Sequence, residues 1–231
     1  MSDTGSFEAL SYSGDQLVLG VLASGRGSNL KSIIDAIESG RLSAKIGVVV
    51  SNKKEAGALE CAKKHHIPRL YVDPSSYPDK KAYDTELSRI LKAHQVGLVI
   101  LAGYMRLLTG MLISAYPYRI MNVHPSLLPA FPGLHAQRQA LSHGVKVSGC
   151  TIHFVDEEMD HGPIIAQAAV PVRENDTEDS LSERILREEH RLFPEVIRSF
   201  SDRSLGVDGR RVCIVPDSLN KAENFPVKDS P

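Results

Sequence analysis

The chain has no tryptophan and three cysteines, Cys61, Cys150 and Cys213. Three scattered cysteines without a CxxC pair provide neither a disulfide framework nor a thiolate zinc site, and they fit a reducing, cytoplasmic compartment. Long apolar runs are also missing: none reaches the roughly 18–20 residues of a membrane span. The opening Met-Ser-Asp-Thr-Gly-Ser-Phe-Glu lacks the basic and apolar regions of a secretory leader. Neither charge sign dominates, with 27 Lys and Arg against 28 Asp and Glu and no block of like charge. That balance gives no reason to expect a nucleic-acid or membrane face. No HxH or HxxxH pair occurs, so no metal site is expected.

What is present is enough apolar material, 42% of 231 residues, for one domain with a substantial core. A flexible segment is expected over 1–14, a single domain over 15–213 and a tail over 214–231. Gln16–Ala23, Lys45–Val50, Arg69–Val72, Gly97–Ala102 and Arg119–Val123 read as short strands, most of them near-continuously apolar. Helical spacing separates them over Ser28–Ser39, Ala56–His65 and Asp79–His94. Strands buried on both faces and alternating with helices predict a doubly wound, Rossmann-like α/β fold with a mostly parallel sheet. Val147–Val155 and Pro163–Val170 are joined by a short loop, so the C-terminal strands should be antiparallel. Thr177–Phe200 reads as one long helix, with a kink or break expected at Pro194. A hairpin turn is expected at Val207-Asp208-Gly209.

Chemistry concentrates in Asn122-Val-His124-Pro-Ser-Leu-Leu-Pro-Ala-Phe-Pro-Gly133. Alternate residues of a strand share a face, so Asn122 and His124 should project together from a strand end. Pro125, Pro129 and Pro132 stiffen the exit. An amide donor beside an imidazole suits acyl chemistry, although a histidine at a strand end also serves as an ordinary hydrogen-bonded structural residue.

The first strand runs into Ser24-Gly25-Arg26-Gly27-Ser28-Asn29 and then a helix. Glycines allow close backbone approach, and a helix N-terminus favours an anion. Ser28 is a possible cap, and a plain tight turn is the alternative. The dinucleotide fingerprint needs a third glycine where Leu30 stands and an acid ending the second strand, where Ser51-Asn52-Lys53 is found. With no Gly-Lys-Ser/Thr either, the loop suits a small phosphomonoester better than NAD or ATP.

Two further segments matter. Asp156-Glu-Glu-Met-Asp160-His-Gly-Pro163 is an acidic loop ending in a sharp turn. Folded over the strand ends, its Asp160 would reach His124, where a carboxylate fixes the tautomer and favours the charged ring. Tyr104–Leu108 reads either as a helix start covering the core or as an apolar slot for a flat heteroaromatic ligand at the sheet's switch point. His153, on an alternating strand, reads as structural.

Ala23-Ser-Gly-Arg-Gly-Ser-Asn-Leu30, Leu101-Ala-Gly-Tyr-Met-Arg-Leu-Leu108, Asn122-Val-His-Pro-Ser-Leu-Leu-Pro129 and Asp160-His-Gly-Pro163 together resemble the phosphoribosylglycinamide formyltransferases, in consistent order from about residue 16 to 213. The His-Pro-Ser-Leu-Leu-Pro segment alone marks the wider folate-dependent group, which includes methionyl-tRNA formyltransferase and formyltetrahydrofolate hydrolase. The resemblance implies Asn122, His124 and Asp160 as the catalytic trio, and Gly25, Gly27, Ser28, Asn29 and Glu189 as the ribonucleotide site. It implies Lys80, Met105, Arg106, Leu107, Leu108, Asn122, Asp156 and Asp160 around 10-formyltetrahydrofolate, a cosubstrate, with no metal. Lys80 stands where many members carry Arg, and His161 where a small residue is common. A monomer or weak homodimer acting on small molecules, without nucleic acid or membrane, is the expected form. The hydrolase, or a folate- or nucleotide-binding module without catalysis, is the alternative.

Overall fold

A computed structural model describes residues 8–10, 15–202 and 204–214. Of the expected tail over 214–231, all but Ile214 lies outside them, as does most of 1–14. Among the described residues ten strands form one sheet: β1 (Glu8–Ala9), β2 (Leu17–Ala23), β3 (Ala44–Ser51), β4 (Arg69–Tyr71), β5 (Leu98–Leu101), β6 (Ile120–His124), β7 (Val147–Phe154), β8 (Ile164–Pro171), β9 (Leu205–Asp208) and β10 (Arg211–Ile214). Six α-helices accompany them: α1 (Ser28–Glu38), α2 (Gly57–Lys64), α3 (Lys80–Ala93), α4 (Gly110–Ala115), α5 (Ala136–Ser142) and α6 (Glu178–Ser201).

The sheet order is β1-β9-β10-β8-β7-β6-β5-β2-β3-β4. From β6 to β4 all pairs are parallel, while β6–β7, β7–β8, β9–β10 and β1–β9 are antiparallel. This is a Rossmann-like α/β fold with helices on both faces. The strand order reverses between β2 and β5. A crevice at such a switch point is the usual ligand position in open α/β sheets.

The period of two along each strand sorts the core into two layers. Leu17, Leu19, Val21, Leu98, Ile100, Met121 and Val123 face α1, α2, α5 and α6. Leu22, Val99, Leu101 and Ile120 face α3 and α4. Asn122 and His124 alternate with Met121 and Val123, so they share the face of Ile120. On β7, Cys150, Ile152 and Phe154 pack into the first layer, which sends His153 to the same face as Asn122, its register partner.

Several local readings differ from the structure. Pro194 sits inside a continuous α6. Phe193, Val196, Ile197 and Phe200 are all buried around it, and that packing outweighs one missing backbone bond. Residues 104–108 form an irregular loop, and the helix starts only at Gly110, because Gly103 turns the chain at φ +68°. α5 follows the proline loop and buries only Ala136 and Ala140, with Leu141 packed partly against the core, too few apolar residues for a periodic signal. Glu8–Ala9, within the expected flexible segment, pair with β9. The terminal turn is Gly209-Arg210, one residue later than the sequence suggests, with Gly209 at φ +57°.

Candidate active site

The glycine loop leaves β2 and enters α1 with Gly27, not Ser28, at the N-cap position, at φ +82° and with no side-chain cap. Only glycine adopts this conformation without strain. The first N–H groups of α1 therefore lack a side-chain partner, which is the condition for an anion site. The loop is held from outside: Gly25 O accepts from Ala58 N–H at 3.1 Å, and Ser24 N–H donates to Gly103 O at 3.1 Å. Ser24 Oγ also accepts Met105 N–H at 2.9 Å and donates to Asn52 Oδ1 at 2.6 Å. The loops after β2 and β5 are thus tied together across the switch point.

Asn29 is buried and donates through Nδ2 to Glu189 Oε2 at 2.7 Å. Burial raises the Glu189 carboxyl above its ordinary range, with the Asn29 amide pulling the other way. Asn29 Oδ1 is buried with no partner. A buried acceptor without a donor is costly, and a ligand hydroxyl or amine would satisfy it. The sequence-predicted ribonucleotide residues Asn29 and Glu189, 160 positions apart, form one unit.

At the end of β6, Asp160 Oδ2 lies 3.3 Å from His124 Nδ1 and accepts Gly133 N–H at 2.7 Å. His124 Nε2 lies 2.8 Å from Phe131 O, so that nitrogen donates. Both ring nitrogens face acceptors, an arrangement matched to the doubly protonated ring. The proline loop that supplies Phe131 O is fixed by Thr151 on β7: its Oγ1 donates to Ser126 O at 2.7 Å and accepts Leu128 N–H at 3.0 Å. Asp160 adopts φ +53°, a conformation that Asp and Asn tolerate better than most residues.

His153 joins this group. Its Nδ1 donates to Phe154 O at 2.8 Å, leaving Nε2 as the acceptor for Asn122 Nδ2 at 3.1 Å. Burial, opposed by the bond to Phe154 O and by Asp160, holds its imidazole below the ordinary range. A neutral His153 therefore orients the Asn122 amide nitrogen and leaves its second N–H free. Sequence reasoning missed this role; the signal was the cross-strand register, which one strand's alternation does not reveal.

The slot after β5 is built on α3. Arg106 lies over the Tyr83 ring at 4.9 Å, and Thr109 N–H donates to Asp84 Oδ2 at 2.6 Å. Met105 and Leu107 on this loop, and Met159 on the loop before β8, are all more than half exposed. Leu108 packs against the second core layer. Lys80 stands exposed on the first turn of α3, one turn before Tyr83, with no hydrogen bond or ion pair among the described residues. Asp156 Oδ2 accepts from His161 Nδ1 at 2.9 Å. Among the described residues no group of three or more His, Cys, Asp or Glu could hold a metal ion. No described helix is long and apolar enough to cross a membrane.

The model of the family described as formyl transferase matches residues 18–197, which include every one of these groups. The chain belongs to the formyl transferase family. It is 44% identical over 190 residues to the phosphoribosylglycinamide formyltransferase of Bacillus subtilis (strain 168), covering 82% of this chain and 95% of that one. With the enzyme of the same name from Escherichia coli (strain K12) it shares 43% over 185 residues, covering 80% and 87%. The solved glycinamide ribonucleotide transformylase 1 from Symbiobacterium toebii superposes with a TM-score of 0.86 at 52% identity, covering 92% of this chain and all of that one. As in any formyl transferase, the reaction to be explained is acyl transfer from a folate-derived donor.

The geometry predicts a test of His153. His153→Leu removes the acceptor for Asn122, and kcat should fall, by less than the ~10²–10³ expected for losing an oxyanion donor outright. His153→Gln keeps an acceptor and removes the titration. In the unaltered chain, protonating Nε2 puts a donor against the Asn122 amide. Because burial depresses the folded-state value, folding stability falls as pH drops below about 6.5 towards that lower value, while the loss of kcat follows at the lower folded value itself. An acid limb in the kcat–pH profile unchanged by His153→Gln would exclude this role.

Proposed function

We propose that the chain transfers the formyl group of 10-formyltetrahydrofolate to the amine of 5-phosphoribosylglycinamide, a step of purine biosynthesis, by direct attack. The observation that carries this reading is the pairing of two half-sites at the same end of one parallel sheet, after β2 and at the end of β6, with β5 between them. One is an uncapped helix N-terminus tied to a buried Asn29–Glu189 pair, suited to a phosphorylated, hydroxyl-bearing substrate. The other is Asn122, His124 and Asp160, beside an exposed apolar slot with a guanidinium over Tyr83, suited to a flat ring system.

The substrate amine forms a bond to the formyl carbon, whose oxygen gains charge in a tetrahedral intermediate. The free N–H of Asn122 Nδ2 donates to that oxygen. So does His124 Nδ1–H, whose present contact with Asp160 is long at 3.3 Å. Donors fixed in advance are the main source of such stabilisation. Asp160 balances the imidazolium charge and, through water, takes the proton that the amine loses. The bond to the folate nitrogen breaks as the same proton passes on to that nitrogen, which returns Asp160 to its carboxylate. No side chain forms a covalent intermediate.

Assaying tetrahydrofolate production with and without the ribonucleotide tests the reading. Formation should require the ribonucleotide and yield the formylated amine. Folate turnover indifferent to the ribonucleotide would support the hydrolase instead, and binding without turnover would support the non-catalytic module.

A further inference from the structure

β10 runs parallel to β8, with Arg211 in register with Ile164. The residue before β10 is therefore carried alongside the residues before β8, the end of the acidic loop. Arg210 occupies that place. Its Nη2 donates to His161 O at 2.5 Å, and its Nη1 lies 3.3 and 3.2 Å from the two ring nitrogens of His161. Near-equal distances to both nitrogens put Nη1 over the ring face and not at its edge, a position a guanidinium favours. The ring edge remains for Asp156: His161 Nδ1 donates to its Oδ2 at 2.9 Å. Asp156 Oδ1 in turn accepts Glu158 N–H at 3.1 Å. The terminal hairpin thus grips the loop at the residue next to Asp160. On the loop's other side, a Cβ added at Gly110 would meet Glu157 Oε1 at 2.5 Å, so that flank rests on the start of α4.

We propose that Arg210 is a positioning residue for the loop 156–161, acting through His161 and Asp156 to hold the folate side of the site in its working shape. The proposal rests on the formyl-transfer reading for what the loop does, but the clasp itself has a separate readout. The ribonucleotide half-site, Gly25–Asn29 and Glu189, makes no hydrogen bond to this loop among the described residues. Loosening the loop should therefore act on one substrate and spare the other.

The full-length chain, Arg210→Ala and Arg210→Lys are compared by backbone hydrogen exchange and by steady-state kinetics. In Arg210→Ala the amides of 157–161 should exchange faster, while those of β2 and β6 do not. KM for 10-formyltetrahydrofolate should rise roughly three- to tenfold, the scale of one charge-assisted hydrogen bond at an exposed position, with KM for the ribonucleotide unchanged. Arg210→Lys, which can still donate to His161 O but cannot stack, should fall between the two. Unchanged loop exchange in Arg210→Ala overturns the clasp. Equal rises in both KM values with a lowered Tm overturn it too, since they describe general destabilisation. An unaltered chain that transfers no formyl group refutes the functional reading, while the exchange comparison still decides the clasp.

Discussion

Asp160→Asn should lower kcat by at least ~10²–10³, the loss expected for one preorganised oxyanion donor, and change either KM far less. Asparagine suits the position. It tolerates the φ of +53° found at Asp160, and its side-chain oxygen can still accept Gly133 N–H as Asp160 Oδ2 does at 2.7 Å. What disappears is the negative charge facing His124 Nδ1, 3.3 Å away, and with it a base for the amine proton. Two functions fail together, so the loss should be no smaller than that of a single donor. His124→Ala added to Asp160→Asn should cost little more, because groups acting as a unit are non-additive. Measuring kcat for both single variants and the double variant decides. A double loss equal to the product of the single losses means the two residues work independently, and a near-normal kcat in Asp160→Asn removes that residue from the mechanism.

The parts of the site legible in the sequence are those set by local periodicity. Asn122 and His124 share a face because they are two residues apart on a strand, and no tertiary fact is needed. The glycine loop follows from a strand, two glycines and a helix in succession. Asp160 required one tertiary assumption, that the loop before β8 folds back over the sheet, and the chain does bring its carboxylate to His124. His153 was not legible, because its role depends on the register of β7 against β6, where it stands opposite Asn122. Arg210 was hidden for a similar reason: its neighbour is set by the parallel pairing of β10 with β8, elements 40 residues apart in sequence. Pro194 shows the converse case. The local rule predicts a break, and the buried side chains around it carry the helix through.

Removing the phosphate from the ribonucleotide should raise its KM by on the order of 10²-fold, from two charge-assisted backbone bonds at roughly 1.5 kcal/mol each. Gly25 and Gly27 separate the phosphate contact from the packing of the loop. A Cβ at Gly27 would not point at open solvent: it would stand 2.7 Å from Ala58 Cα, at a φ of +82° that an L side chain rarely adopts. Gly27→Ala should therefore damage the fold first, seen as a lowered Tm, and weaken the anion site by displacing α2 from the loop. Gly25 is the cleaner probe, because a Cβ there meets no protein atom within 4 Å. Gly25→Ala should leave Tm nearly unchanged and raise KM for the phosphorylated substrate, with no matching rise for the dephosphorylated one. The methyl then has only the bound phosphate to obstruct. Equal KM for the two substrates in the unaltered chain would move the phosphate away from Gly25–Asn29, whatever the glycine variants do.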